Sequence, residues 1–147
     1  MLEPKHEPLR RLLAYWHAKK GDRPAPTRAE IDPAEIKALL PHVGLVDVER
    51  TPLRFRFRLA GTEIAKGYGE ELAGRYLDEI DLNFHQHEIL AEYVHTAESG
   101  EPSCSVKDYN RKDGHHIRYE RLVLPLSSDG KTIDMLLGGC IFDVPHG

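Results

Sequence analysis

Leu9, Leu12, Leu13 and Trp16 recur at i, i+3, i+4 and i+7, which predicts one apolar stripe on a helix from Glu7 to Lys20. Gly21 stops that helix, and two prolines keep the next stretch, Asp22-Arg23-Pro24-Ala25-Pro26-Thr27-Arg28, extended. Asp32-Pro33 supplies an N-cap followed by proline at the first helical position, opening a short helix that Pro41 closes after Leu40. From Val43 the period changes to that of a strand. Val43, Leu45, Val46 and Val48 form a first strand, Glu49-Arg50-Thr51-Pro52 a turn, and Arg54-Phe55-Arg56-Phe57-Arg58-Leu59 a second strand. The second strand alternates without interruption, so Phe55, Phe57 and Leu59 are expected on a core face and the three arginines on the other.

Gly61 ends this hairpin, and Thr62, Ile64 and Ala65 predict one or two helical turns before Gly67 and Gly69. The stretch to Leu82 is irregular. A longer helix is expected from Phe84 to Ser99, with Gln86, Ile89, Leu90, Tyr93, Val94 and Ala97 on its apolar stripe; Gly100 and Pro102 close it. Three further strands follow, Ser103 to Tyr109, His116 to Leu126 and Ile133 to Val144, joined at the turn signals Asp113-Gly114 and Asp129-Gly130. Two strands, a helical passage and a three-stranded meander make an α+β fold: a five-stranded antiparallel sheet with helices over one face and room for a cavity between.

Composition narrows the function classes. The chain has 147 residues, with 20 Lys+Arg against 24 Asp+Glu and a formal net charge of -4. This is one domain without the broad basic footprint of a nucleic-acid binder, and no nucleic-acid partner is expected. The row Arg54, Arg56 and Arg58 reads as a solvated face that discourages edge pairing. The N-terminus, Met1-Leu2-Glu3-Pro4-Lys5-His6-Glu7-Pro8, has acids and prolines where a signal peptide needs an apolar run. The most apolar segment, Ile133 to Phe142, is interrupted by Asp134, Gly138 and Gly139 and is too short to span a bilayer. A cytoplasmic location with no membrane contact is expected. Cys104 and Cys140 form no C-x-x-C pair and read as two reduced thiols.

The order of elements, Gly61 after the second strand, Arg111-Lys112-Asp113-Gly114 before the fourth, Leu124-Pro125-Leu126 with Asp129-Gly130 after it, and the closing Phe142-Asp143-Val144 resemble a PAS domain. More narrowly, Tyr15-Trp16, Pro26-Thr27-Arg28, Ile31-Asp32-Pro33, Leu39-Leu40-Pro41, Gly61-Thr62-Glu63-Ile64 and Gly74-Arg75-Tyr76 resemble the fifth PAS family of short single-domain bacterial proteins. The resemblance runs from about residue 9 to 144. It implies a sheet order 2-1-5-4-3, a pocket between sheet and helices, and a sensory or regulatory role. On this frame, residues 1–41 are an N-terminal helical extension and residues 42–147 the PAS-like sensor. The same order implies that the fourth strand separates Cys104 from Cys140, which disfavours a disulfide. Pro145 follows Asp143-Val144 where the family pattern has Thr, and the chain stops at Gly147, so any signal is expected to pass in trans.

Cofactor-binding PAS branches make specific demands. The flavin branch resembles Asn-Cys-Arg-Phe-Leu on the helix after the second strand, whereas Thr62 to Arg75 contains no cysteine; flavin is disfavoured. A haem needs an axial ligand from the long helix, and His87 and His95 both lie away from the Ile89, Leu90 and Tyr93 stripe, so haem is disfavoured too. His85 and His87 project to opposite sides of a helix, and His115 and His116 to opposite faces of a strand. His87-Glu88 begins a zincin-like motif that fails at Ala91; no metal site is expected.

Strand phase selects candidate ligand-binding residues. Phe57, Leu59, Ile64, Tyr68, Tyr76, Leu90 and Tyr93 are candidate pocket lining, although apolar and aromatic positions of this kind are also what a plain core requires. Leu122, Leu124 and Leu126 share a face with Glu120, Arg118 and His116. If those leucines point toward the helices of the central passage, Arg118 and Glu120 point into the cavity, and Arg118 suits a carboxylate or phosphate. If instead the leucines pack under the N-terminal helix and Trp16, both charges lie at a solvated rim.

The leading expectation is a sensory or regulatory module that binds a small-molecule ligand or a signalling protein partner. A first alternative is a homodimerisation or protein-interaction module, with Leu9, Leu12, Leu13 and Trp16 packing on a second copy or a partner; a homodimer is expected. A second is a small cavity enzyme using His116, Arg118 and Glu120. No catalytic residue is assigned, because the sequence has no Gly-rich phosphate loop, nucleophile elbow or paired carboxylates at a convincing spacing.

Overall fold

The computed structural model describes residues 3–80, 86–110 and 114–143. Its elements are α1 (Glu7–Lys20), β1 (Val43–Glu49), β2 (Arg54–Ala60), α2 (Thr62–Tyr68), α3 (Gln86–Ser99), β3 (Ser103–Asn110), β4 (His116–Leu126) and β5 (Met135–Asp143). The strands form one antiparallel sheet in the order β2-β1-β5-β4-β3, as expected. The expected helix start at Phe84, the Asp113 turn position and the strand end at Val144 lie outside the described residues. The short helix expected after Asp32 is a run of 3-10 turns, Pro33–His42, broken at Ile36 and carried past Pro41. Proline at both ends removes backbone donors that a regular helix needs.

Register shows which side chains share a face. Leu122 pairs with Gly139, and a Cβ on Gly139 would lie 2.7 Å from Leu9 and 2.8 Å from Leu12. The leucine face of β4 therefore packs under α1. We call this the outer face. Trp16 closes the packing: it is 1% exposed, and its indole N–H donates to the Pro125 carbonyl at 2.8 Å. Leu9, Leu12 and Leu13 are buried beside it. The stripe expected to form an interface with a second copy is thus covered by the chain's own sheet, because burying four large apolar side chains stabilises the fold by roughly 1.5–3 kcal/mol each.

The opposite, inner face carries α2 and α3. Arg121, one residue from Leu122 and so on the other side of β4, pairs in register with Cys140 and reaches Tyr68 of α2 and Glu92 of α3. Phe55 meets Tyr93 and Phe57 meets Tyr68 edge to face. Gly61 joins β2 to α2 where a Cβ would stand 2.2 Å from the Leu40 carbonyl oxygen and 2.3 Å from that of Pro41, so only glycine admits this approach of two backbones.

One expectation fails at β2. The register runs Leu45↔Leu59 and then Val46↔Phe57, which leaves Arg58 as an extra residue in a β-bulge. The bulge reverses the alternation beyond it. Leu59, expected beside Phe57 on the inner face, instead shares the outer face with Leu45 and is 40% exposed.

Candidate ligand site

The inner face holds a small chamber lined by Val46, Phe57, Ile64, Tyr68, Tyr93, Arg121 and Cys140, with Gly138 at its floor. Its volume is about 20 Å³. This leaves room for a guest of no more than a few heavy atoms, because side chains fill the remaining space between sheet and helices. Each lining residue is placed by its element. Phe57 and Val46 face inward from paired positions on β2 and β1, Ile64 and Tyr68 lie one turn apart on α2, and Tyr93 points down from α3.

Arg121 dominates the electrostatics. It is 2% exposed, its guanidinium lies 4.5 Å from the Tyr119 ring centroid, and its terminal nitrogens reach Glu92 at 3.4 Å and the Tyr68 hydroxyl at 3.3 Å. Its Nε–H has no partner among the described residues, nor has Oε2 of Glu92. Arginine stays charged even when buried, so an unpaired N–H beside a cavity carries a desolvation cost that a hydrogen-bond acceptor would remove. Burial pushes the Tyr68 hydroxyl up to about 12 although Arg121 pulls the other way, and it lifts Tyr93 well above the ordinary tyrosine value. The Cys140 thiol is likewise pushed up to about 12 by burial, against the lowering influence of Arg121. These groups are neutral near pH 7, which leaves Arg121 as the charged group at the chamber wall.

Of the expected pocket residues, the structure brings Phe57, Ile64, Tyr68 and Tyr93 together. Leu90 packs against the core without lining the chamber. Tyr76 sits at the β2 edge, where the Arg54 guanidinium stacks 3.7 Å from its ring and its hydroxyl donates to Glu49. Leu59 is turned away by the bulge. Arg118 and Glu120 are on the outer face: Arg118 is exposed and pairs with Asp108 at 3.0 Å, because the leucines in phase with it pack under α1. Glu120 is 1% exposed but accepts from the backbone N–H groups of Lys5 and His6 at 2.7 and 2.9 Å. His116 also pairs with Asp108, so the cluster that motivated an enzyme lies outside the chamber. Arg121 was the residue missed. Its signal was an arginine set between Tyr119 and Val123 on the face of β4 opposite the leucines.

The other charged rows are accounted for locally. Arg54 pairs with Asp78 and Glu79, and Arg58 with Asp47. No cluster of three or more His, Cys, Asp or Glu side chains is placed to hold a metal ion among the described residues. No helix among them is long and apolar enough to cross a membrane. A wide groove of about 750 Å³, of mixed polar and apolar lining, separates the C-terminal ends of α1 and α3. Charges of both signs line it, and its buried hydroxyl, Ser127, is already bonded to Asp129 and the Thr132 carbonyl.

Comparison with known proteins agrees with this architecture. The family model described as PAS domain, PAS_5, matches residues 4–141, and the chain belongs to that family. PAS domains are sensory modules. No curated protein matches it in sequence. Among solved structures, the PAS domain of Bordetella pertussis BvgS superposes with a TM-score of 0.56 at 17% identity, covering 77% of this chain and 86% of that one. A light-oxygen-voltage domain studied with a flavin analogue gives 0.55 at 17% identity, covering 75% and 84%. A PAS domain from Colwellia psychrerythraea gives 0.53 at 15% identity, covering 74% and 92%. At these identities the likeness establishes the fold.

The flavin of light-oxygen-voltage relatives sets a direct test of fit. A cofactor-sized ligand needs a pocket of roughly 300–1,000 Å³. The inner chamber offers about 20 Å³, and the two cysteines stand on strands, Cys140 inside on β5 and Cys104 outside on β3 next to Glu120. The residues as packed do not fit a flavin. They fit a haem no better, since His87 and His95 are both exposed on α3.

Proposed function

We propose that this PAS-family chain is a sensory module whose inner chamber takes a small polar guest of a few heavy atoms, held by an acceptor oxygen on the Arg121 Nε–H. The observation that carries this reading is the buried, incompletely satisfied guanidinium at the chamber wall. An apolar core of the same shape would be more stable than one holding an unmatched buried ion, so the charge has a use beyond packing. The output runs through β4. Arg121 faces the guest, and its neighbour Glu120 holds Lys5 and His6 on the far side of the sheet. Successive side chains of a strand share one backbone but open onto opposite faces, so a small rotation of β4 at Arg121 alters the docking of α1. A released α1 exposes its apolar stripe to a protein partner, and the signal passes in trans. Two free thiols on opposite faces of the sheet suit a reducing, cytoplasmic location.

The test is thermal denaturation in formate, acetate, nitrate and acetamide at matched ionic strength. A ligand of the native state raises the midpoint in a saturable, concentration-dependent way. At least one of the four should do so, and the paired replacement Arg121→Met with Glu92→Leu should abolish the rise. Flat midpoints across the series, or rises that survive the paired replacement, contradict the reading.

A second reading, a protein-docking module, is favoured by β3. It is an edge strand with β4 as its one strand partner among the described residues, and its Val106 is 38% exposed on the outer face. Such an edge accepts a strand from a partner or a second copy. Light scattering from purified protein separates the cases: a dimer abolished by Val106→Lys supports docking, and a monomer at all concentrations contradicts self-association.

A further inference from the structure

The bulge at Arg58 that turns Leu59 outward also helps to build a second cavity. It lies on the outer face, between the segment 28–40 and the β2-β1-β5 side of the sheet, and measures about 220 Å³. Ile31, Ile36 and Leu40 form one wall, Leu45 and Leu137 the floor, and Leu59 an open side. The inner chamber is an order of magnitude smaller. The outer cavity has an almost wholly apolar lining and one charged rim residue, Arg28.

The state of Arg28 gives this cavity a chemical preference. The one hydrogen bond of its guanidinium among the described residues is from Nη1 to the Ile31 carbonyl at 3.1 Å, and it has no carboxylate partner there. The neighbouring acid, Glu30, is fully engaged. One carboxylate oxygen accepts from the Thr27 backbone and hydroxyl, and the other pairs with Arg23 at 2.7 Å. Arg23 first, and then the Thr27 backbone, hold the Glu30 carboxyl down to about 2. The guanidinium of Arg28 is thus left with donors to offer at the mouth of an apolar cleft. Of the motifs on which the narrower family resemblance rests, three contribute Arg28, Ile31, Pro33 and Leu40 to this cleft and a fourth contributes Gly61, while Ile64 of that fourth motif lines the inner chamber.

We propose that the outer cavity is a binding site for a small amphiphile with one carboxylate head and an unbranched apolar tail, the head on Arg28 and the tail along Leu45, Leu59 and Leu137. Apolar walls supply affinity without direction, and a single guanidinium fixes which end of the ligand enters last. The bound tail also covers Leu59, the most exposed large apolar side chain among the described residues. The site has a route to the rest of the fold: the Tyr15 hydroxyl of α1 donates to Glu35 and accepts from the Asp32 N–H, tying α1 to the segment that roofs the cleft. The proposal stands apart from the inner chamber and does not need it.

The experiment is a titration of the full chain with octanoate, below its micelle concentration, followed by methyl NMR and calorimetry, with 1-octanol as the uncharged control. Saturable one-site binding is expected, with the largest shifts at Leu59, Leu45 and Leu137. Arg28→Gln should weaken octanoate by about tenfold or more and leave 1-octanol unchanged, since a hydrogen bond to a charged group is what is removed. Leu59→Ser should weaken both. Arg28 and Leu59 are partly exposed, so both variants should keep the Trp16 fluorescence of the folded chain. Three results overturn the proposal: no saturable binding, octanoate and octanol affinities that respond equally to Arg28→Gln, or shifts centred on Tyr68 and Arg121 rather than on Leu59. The last places the amphiphile in the inner chamber and leaves the sensory reading standing, while the first leaves the outer cavity without a ligand and does not touch the inner site.

Discussion

The imidazole Nδ1 of His6 lies 2.7 Å from Oε1 of Glu120, across the outer face from the start of α1 to the middle of β4. The other ring nitrogen lies 3.1 Å from Asp143 at the end of β5, and Glu120 also accepts two backbone N–H groups from the same N-terminal turn. One carboxylate on the sheet therefore fixes the position at which α1 begins. Burial alone would raise the Glu120 carboxyl, but the Lys5 N–H, the His6 ring and the His6 N–H together hold it below its usual value of 4.5. A depressed carboxyl contributes stability that is complete above its unfolded value and is lost as pH falls through its folded value. The contribution of Glu120 to the docking of α1 should therefore be fully present and independent of pH near pH 7, and should be lost only as pH falls below about 4.5. The Cys104 thiol lies 3.6 Å from the same carboxylate, and Asp143 sits on the far side of the His6 ring. Glu120→Gln should cost about 1.5–3 kcal/mol at neutral pH, the worth of hydrogen bonds to a charged group. Fluorescence of the single Trp, on α1, reads both effects; an unchanged midpoint for Glu120→Gln contradicts the latch.

Arg121 and Glu92 form the buried pair of the inner face, 3.4 Å apart. Removing one partner strands the other charge, so Arg121→Met alone should destabilise the fold by about 3–5 kcal/mol. Adding Glu92→Leu should recover most of that loss. Urea denaturation of the two singles and the double variant measures the coupling, and additive losses would show that the pair acts as two independent groups.

Gly61 separates β2 from α2 within touching distance of two carbonyl oxygens. Gly61→Ala forces a Cβ into rigid backbone rather than into a yielding side chain, and a loss of about 2–3 kcal/mol or more is expected. Gly139→Ala meets only the flexible tips of Leu9 and Leu12 and should cost less. Thermal denaturation orders the two; a milder effect at Gly61 contradicts the close approach.

Neither thiol should be reactive in the folded chain. Burial, reinforced by the Glu120 carboxylate, pushes Cys104 up to about 12, and burial does the same to Cys140 despite Arg121. The thiolate is the reactive form, so at pH 8 Ellman's reagent should modify both cysteines slowly in the native protein and rapidly in denaturant. Rapid native labelling of Cys104 would show that its contact with Glu120 is open in solution.

Most of the architecture was legible because it depends on period. The helical stripe of α1, the strand bounds of β4 and the order of elements all follow from apolar spacing. Side choice was not, for two physical reasons. A strand pattern shows that Leu122, Leu124 and Glu120 share a face but not which layer covers it, and α1 covers it here. The alternation in Arg54–Leu59 is perfect in sequence, yet the bulge at Arg58 reverses it, and no residue in that run announces an extra position. The candidate site was half legible for the same reasons. Phe57, Ile64, Tyr68 and Tyr93 converge, whereas Leu59, Tyr76, Arg118 and Glu120 are carried elsewhere by the bulge, the β2 edge and the outer layer. Arg121 is not singled out by pattern, because an arginine two positions from a tyrosine on a strand reads as surface until its face is known.

The Arg121 Nε–H resonance, identified by its loss in the Arg121→Met, Glu92→Leu chain, offers the most direct view of the inner site. Titration with formate, acetate, nitrate and acetamide at constant ionic strength should shift that resonance along a saturable curve for at least one of the four, while exposed Arg118 shows only a small linear drift. An Arg121 resonance that drifts as Arg118 does, in every one of the four titrations, contradicts a guest in the chamber.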